Sequence, residues 1–135
     1  MTWFRWLRRR PTIPVIQLSG ALDFTNYMFF LRCMRVCRNK SNLAGLCLQI
    51  SSQGGSGVSA DVMAKMCRDF CDQRGIKLYT FVDKYACSAA MLPLASSDRV
   101  YVHPESIVGG CLATASRFVS TDGYGVESWN AKSSE

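Results

Sequence analysis

Leu43 to Ile50 is an essentially continuous apolar run of strand length, and it empties into the loop Ser51-Ser-Gln-Gly-Gly-Ser-Gly57. A strand with one wet face alternates apolar and polar residues, whereas a continuous run marks a buried strand of the kind parallel sheets need. The neighbouring segments fit that reading. Ile13 to Leu18 is a short β-rich segment closed by Ser19-Gly20, and Pro11 and Pro14 break any helix begun before it. Phe24 to Arg38 is an amphipathic helix with Arg32, Arg35 and Arg38 along one face, ended by Asn39-Lys-Ser-Asn42. A second helix, capped by Ser59 or Asp61, runs to about Gln73 and stops at Arg74-Gly75, with glycine in the left-handed position. Ile76 to Val82 is the next strand, Ala86 to Ala95 a small-residue helix interrupted at Pro93, and Arg99 to Val102 a further strand before His103-Pro104. Strands alternating with helices at this spacing predict an α/β fold with right-handed crossovers, its ligand chemistry at the strand ends near Gly54 and Ser88. The last fifteen residues, rich in Ser, Gly and Glu, read as an exposed connection or the frayed start of a further element.

At 135 residues and 48% hydrophobic, the chain supports one domain with a real core: residues 11–135 as the domain and 1–10 as a tail. Seven scattered cysteines, odd in number and several inside apolar runs, indicate a reduced compartment and not a disulfide scaffold. Cys33 with Cys37 and Cys67 with Cys71 are spaced one helical turn apart. That spacing suits two metal-binding thiolates or two bridges, but it also lands on a buried helix face, the commoner use, and no metal or cofactor is expected.

The net charge of +6 is uneven, since Asp23 is the only acid among the first forty residues. Trp3-Phe-Arg-Trp-Leu-Arg-Arg-Arg10 is too short to cross a bilayer, and no stretch of the chain reaches transmembrane length. Three readings of this tail stay open: an aromatic, basic anchor at an anionic membrane surface, part of a mitochondrial address, or a solvated segment that docks on a partner. Nucleic-acid binding is not expected, because the aromatic and glycine patterns of the known modules are missing.

Taken together, Pro14-Val-Ile-Gln-Leu-Ser-Gly20, Leu46-Cys-Leu-Gln-Ile-Ser-Ser-Gln-Gly-Gly-Ser56, Val82-Asp-Lys-Tyr-Ala-Cys-Ser-Ala-Ala-Met91 and Ser97-Asp-Arg-Val-Tyr-Val-His-Pro-Glu-Ser-Ile-Val-Gly-Gly110 resemble the signal peptide peptidase A family of serine peptidases. That family lies within the ClpP/crotonase superfamily. The resemblance runs from about residue 11 to the end of the chain. It implies a mostly parallel sheet with crossover helices, Ser88 as nucleophile, and oxyanion donors from the backbone around Gly54, Gly55 and Ala89. Glycine is needed there because only a missing side chain lets main-chain amides approach a developing oxyanion. The general base of the family is a lysine kept neutral by burial.

The chain departs from the family pattern at four places. Gln53 stands where the family has proline, Ala89 and Ala90 stand where it has two glycines, and Gly109-Gly-Cys-Leu112 replaces a glycine-serine-isoleucine-glycine run. The base lysine falls just past the segment that Ala131-Lys-Ser-Ser134 resembles, so Lys132 aligns with a non-catalytic neighbour; Lys84 and Lys65 read as solvated. The expected function is therefore a catalytically inactive, signal-peptide-peptidase-like subunit of a homo- or hetero-oligomer or larger complex, mitochondrial and peripheral to a membrane. The alternative is an active Ser/Lys endopeptidase that degrades signal or membrane-derived peptides with a lysine from a partner chain. His103, the one histidine, reads as structural, and Tyr27 with Met28 to Leu31 as core or as a stacking patch between subunits.

Overall fold

The computed structural model describes residues 10–110 in full, and beyond them the backbone of 112–121 and 123–132. Four strands line up in chain order as a parallel sheet: β1 (Val15–Ser19), β2 (Gly45–Ser52), β3 (Lys77–Cys87) and β4 (Arg99–Val102). A short β5 (Ile107–Gly109) extends the β4 side, pairing Tyr85 to Cys87. Between the first three strands lie α1 (Phe24–Arg38) and α2 (Gly57–Arg74); a 3-10 turn (Ser88–Ala90) and α3 (Met91–Ala95) follow β3. The backbone of β6 (Leu112–Thr121) and β7 (Gly123–Lys132) forms a separate antiparallel pair. Of the last fifteen residues, read from the sequence as an exposed connection or the frayed start of a further element, 123–132 are a strand whose backbone pairs along its whole length with β6.

Each helix begins and ends for a local reason. Asp23 caps α1 by accepting from the Asn26 amide at 3.0 Å, and Arg35 and Arg38 in the last turn complement its dipole. The cap of α2 is Ser56, accepting from Ser59 N–H at 3.2 Å, so the helix starts earlier than Ser59 or Asp61 would allow. Gly75 closes it at φ 63°, where the missing Cβ removes the left-handed penalty. Pro93 sits inside α3 without breaking it, because a proline in the first turn forfeits no intrahelical bond.

Strands that run in chain order with right-handed crossovers must place every crossover helix on the same side of the sheet. The burial pattern agrees. Ile16, Leu18, Leu46, Leu48, Ile50, Leu78 and Val82 are buried beneath Phe30, Met34, Met63 and Phe70. Thr80, also buried there, shares a 2.6 Å hydrogen bond with Ser97, which in turn donates to the Pro93 carbonyl. Cys37, Cys67 and Cys71 are part of this core. Burial, and neighbouring thiols, push the Cys67 thiol far up, and burial takes Cys71 to about 11. Both are thus small hydrophobes here. Asp98 ties β4 to β3 and α2: it accepts from Leu78 N–H at 2.8 Å and from Arg68 at 3.0 Å, and that amide first of all holds its carboxyl below the usual range.

Among the described residues, no helix lies over the opposite face of the sheet. Gln17, Val15, Phe81 and Tyr101 stand exposed on the alternate positions, whereas Cys47 of β2, between Val15 of β1 and Tyr79 of β3 in the register, is buried. Full coverage of both faces, implied by the continuous run of β2, is not what the described residues provide.

Candidate active site

The carboxyl ends of β1, β2 and β3 converge, and three backbone segments meet there. The loop after β1 is stitched to the loop after β2 by Gly20 N–H to Ser51 O (3.0 Å), Leu22 N–H to Gly54 O (2.8 Å) and Ser56 N–H to Leu22 O (2.9 Å). Asn26 of α1 clamps the first loop by donating to the carbonyls of Ser19 and Ala21. Leu22, fully buried, anchors the junction.

Gly54 and Gly55 have φ 113° and 143°, and both are glycine for steric reasons that the neighbours make explicit. A Cβ on Gly55 would lie 2.7 Å from Leu22 N, so no side chain fits without moving backbone. A Cβ on Gly54 would lie 2.9 Å from Ser88 Cβ, 3.0 Å from Cys87 O and 3.3 Å from Ala89 N. The glycine loop and the serine turn are therefore in contact, as the sequence predicts. Their amides are not equivalent. Gly54 N–H donates to the buried Ser52 Oγ at 3.1 Å, whereas the bonds that bridge Gly55 to Leu22 leave the Gly55 amide out of the ladder. Sequence reasoning missed Ser52: nothing in a Ser-Ser pair says which hydroxyl turns inward.

Ser88, half-buried, follows the last residue of β3 and has φ 52°. Only Asn42 shares a positive φ among the described non-glycine residues, and for a serine this conformation is strained. A sharp strand-to-helix turn of this kind lifts a side chain off the end of the sheet. The two alanines after it are accommodated easily. Ala90 is right-handed at φ −66° and fully buried in the core, so its methyl packs inward and does not crowd the cleft. Gly109 and Gly110, by contrast, have φ 126° and 74°, conformations that favour glycine.

A cleft of about 700 Å³ opens beside this junction, lined by Ser19 to Ala21, Ser51, Gln53, Gly54 and Asp83 to Tyr85. Its outer wall is a bulge. Ile50 pairs with Val82 and Ser52 with Ala86, so three residues of β3, Asp83 to Tyr85, lie opposite Ser51 alone. Ser106 supports the bulge by donating to Asp83 O (2.7 Å), and His103 N–H holds Val82 O (3.1 Å). The His103 ring only accepts from Glu105 N–H at 3.2 Å, in keeping with a structural histidine.

All described lysines are exposed. Lys65 pairs with Asp61 at 2.7 Å, a hydrogen bond that raises its pKa, and Lys77 lies 3.7 Å from Asp98. Lys84 rides the bulge at the cleft, and Lys132 lies on β7, its side chain outside the described residues. Among the described residues no three His, Cys, Asp or Glu side chains cluster to hold a metal ion, and no helix is long and apolar enough to cross a membrane.

An in-order parallel sheet, helices over one face, and a glycine loop against a strained serine at the strand ends together define an α/β protein of ClpP/crotonase-like peptidase fold. Solved structures bear this out. A serine-to-alanine mutant of the 1510-N membrane-bound stomatin-specific protease superposes with a TM-score of 0.63 at 17% identity, over 85% of this chain and 54% of that one. A lysine-to-alanine mutant of the same protease, in complex with a substrate peptide, gives 0.60 at 18% identity over 76% and 46%. ClpP1 from Listeria monocytogenes, as an asparagine-to-aspartate mutant, gives 0.56 at 14% identity over 70% and 53%. The chain thus spans about half the length of the solved structures it matches. No protein-family model and no curated protein sequence matches it.

Proposed function

We propose that this chain is a signal-peptide-peptidase-like protein that keeps the nucleophile turn of a serine peptidase without completing a Ser/Lys dyad, and that it serves as a structural subunit of an oligomer or larger complex. In this reading residues 11–135 are the domain, and the arginine-rich tail, 1–10, directs it to the mitochondrion and a membrane surface. Ser88 is the vestigial nucleophile, with Gly55 and Ala89 as the oxyanion amides and Gly54 as the glycine that lets them approach. One contrast carries the proposal: the serine turn retains its strained geometry against Gly54, while every described lysine is solvent-exposed and none has the buried surroundings that keep an amine neutral. A serine hydroxyl without a neutral amine to take its proton is a poor nucleophile. Labelling of the purified chain with a fluorophosphonate, beside Ser88→Ala and Lys132→Ala controls, tests this. The expected result is no labelling above the Ser88→Ala background. Serine-dependent labelling that Lys132→Ala abolishes would overturn it.

The strain at Ser88 favours a second reading, in which a partner chain supplies the lysine and the protein cleaves signal or membrane-derived peptides. Left-handed serine costs about 1–2 kcal/mol, and such strain persists most often where a mechanism uses it. Under this reading labelling appears in the native assembly and is lost when the subunits are separated.

A further inference from the structure

The open face of the sheet is graded by charge along the strand direction. Leu78, Thr80 and Val82 of β3 turn toward the helices and are buried, so Lys77, Tyr79, Phe81 and Asp83 follow one another on the other face. On β4, Arg99 stands beside Tyr79 and Tyr101 beside Phe81. The row thus runs from two cations, through aromatic rings, to a carboxylate. Phe81 and Tyr101 stack with ring centroids 4.7 Å apart, yet each is 45% exposed. They are shared by two shallow cavities of about 340 and 300 Å³, the first reaching Val15 and Cys47, the second Gln49 and Asp83. An exposed aromatic pair at the centre of a parallel sheet is a surface built to be covered. The charges flanking it are unused. Among the described residues Arg99 and Asp83, both exposed, enter no salt bridge, and Lys77 reaches Asp98 only at 3.7 Å with its side chain 68% exposed.

We propose that a second copy of this chain covers the face, sheet on sheet, with its strands antiparallel to the first. The twofold axis lies between the two sheets, perpendicular to the strands, and crosses β3 at Thr80. The order of the row selects this partner, because an isologous contact needs a surface complementary to itself. Such an axis exchanges position 77 with 83 and 79 with 81, so Lys77 of each copy lies over Asp83 of the other, and Tyr79 over Phe81. Arg99, level with Tyr79, comes over Tyr101 of the second copy, and a guanidinium is well suited to an aromatic face. Gln17 and Gln49, already hydrogen-bonded to each other at 3.0 Å, come over Val15 and Cys47. Parallel docking would instead set Lys77 over Lys77 and Asp83 over Asp83, and like charges facing each other exclude it. Face-to-face packing with strands nearly aligned is the ordinary geometry of two sheets. The dimer names a partner for the oligomer proposed above and rests on that part of the reading, not on the state of Ser88.

Sedimentation equilibrium of the full chain over a range of concentrations tests this, and the expected result is a monomer–dimer equilibrium. Lys77→Asp and, separately, Asp83→Lys bring like charges together in the dimer, and each should weaken it by more than about tenfold. Both side chains are exposed, so far-UV circular dichroism stays unchanged. Mixing the two variants restores association, since every contact then joins an ammonium to a carboxylate, and the double variant Lys77→Asp/Asp83→Lys restores it alone. Lys65→Asp, 71% exposed on α2 and equal to Lys77→Asp in its change of charge, leaves the equilibrium where it was. Association that survives either reversal, or that the mixture fails to restore, overturns the proposal. So does a parent chain that stays monomeric at every concentration, which assigns the face to another part of the chain or to a different protein. That last result would leave the subunit reading standing in a hetero-complex, while fluorophosphonate labelling of Ser88 would leave the dimer standing.

Discussion

The two faces of the sheet are made by the same strands and differ only in which alternate residue points where. On the helix side Ile16, Leu18, Leu48, Ile50 and Leu78 are at most 2% exposed; on the other side Val15, Phe81 and Tyr101 are about half-exposed. Because the strands run in chain order, right-handed connections send α1, α2 and α3 to one side, and topology alone decides which face is left over. The covered face therefore carries the stability of the fold, while the open face is free to serve contacts.

Truncation across the two faces puts the largest number on that contrast. Leu48→Ala should cost about 2–5 kcal/mol, since the helices above cannot fully collapse into the space, whereas Phe81→Ala should cost about 1 kcal/mol, roughly half the value of a fully buried ring. Chemical denaturation with an unchanged m-value measures both. Equal losses would mean that the open face is covered as thoroughly as the helix side.

Glycines sharpen the same comparison. In Gly55→Ala the new methyl meets the backbone of Leu22 at 2.7 Å, with φ at 143° besides, and neither can relax without parting the two loops. In Gly45→Ala the nearest obstacle is the rim of the Tyr79 ring at 2.9 Å, on the face where a ring has room to swing. Gly55→Ala should cost about 2–4 kcal/mol, from strain plus overpacking, and Gly45→Ala about 1 kcal/mol. Thermal unfolding of the two variants side by side reads the difference. A Gly45 variant as damaged as the Gly55 variant would show that Tyr79 is locked.

Much of this was legible in the chain. The period of Phe24 to Arg38 marks α1 to the residue, Arg99 to Val102 is β4, and Gly75 ends α2. Local signals suffice where a cap, a glycine and a regular apolar stripe agree. The glycine loop and Ser88 also meet where the strand ends predict. The failures are non-local. The polar residues Asp83 and Lys84 end the apolar pattern of β3 at Val82, yet the strand continues to Cys87, because β5, twenty residues on, restores its pairing after the bulge. β7 pairs along its whole length with β6, a partner no local pattern announces. The open face is hidden for a subtler reason: the apolar run of β2 reports burial, and Cys47 is buried, at 6% exposed, although no helix of the described residues lies over that face.

The smallest effect concerns the serine turn, which belongs to neither face. Ser88 is held at φ 52°, a conformation that costs a side-chain-bearing residue about 1–2 kcal/mol and glycine almost nothing. Glycine in turn loosens the unfolded chain by roughly 0.5–1 kcal/mol, so Ser88→Gly should be more stable than Ser88→Ala, which lacks the same hydroxyl, by a net of about 0.5–1 kcal/mol. Ser88→Ala retains the strain while losing the hydroxyl, and it isolates the contribution of that group. If the glycine variant is more stable than the alanine variant, backbone strain is being held at this turn at the expense of stability, as at sites shaped for a purpose other than folding. A glycine variant no more stable than the alanine variant would mean that the surrounding loops, not the residue, set the backbone there, and the resemblance of this turn to a nucleophile's would be one of shape alone.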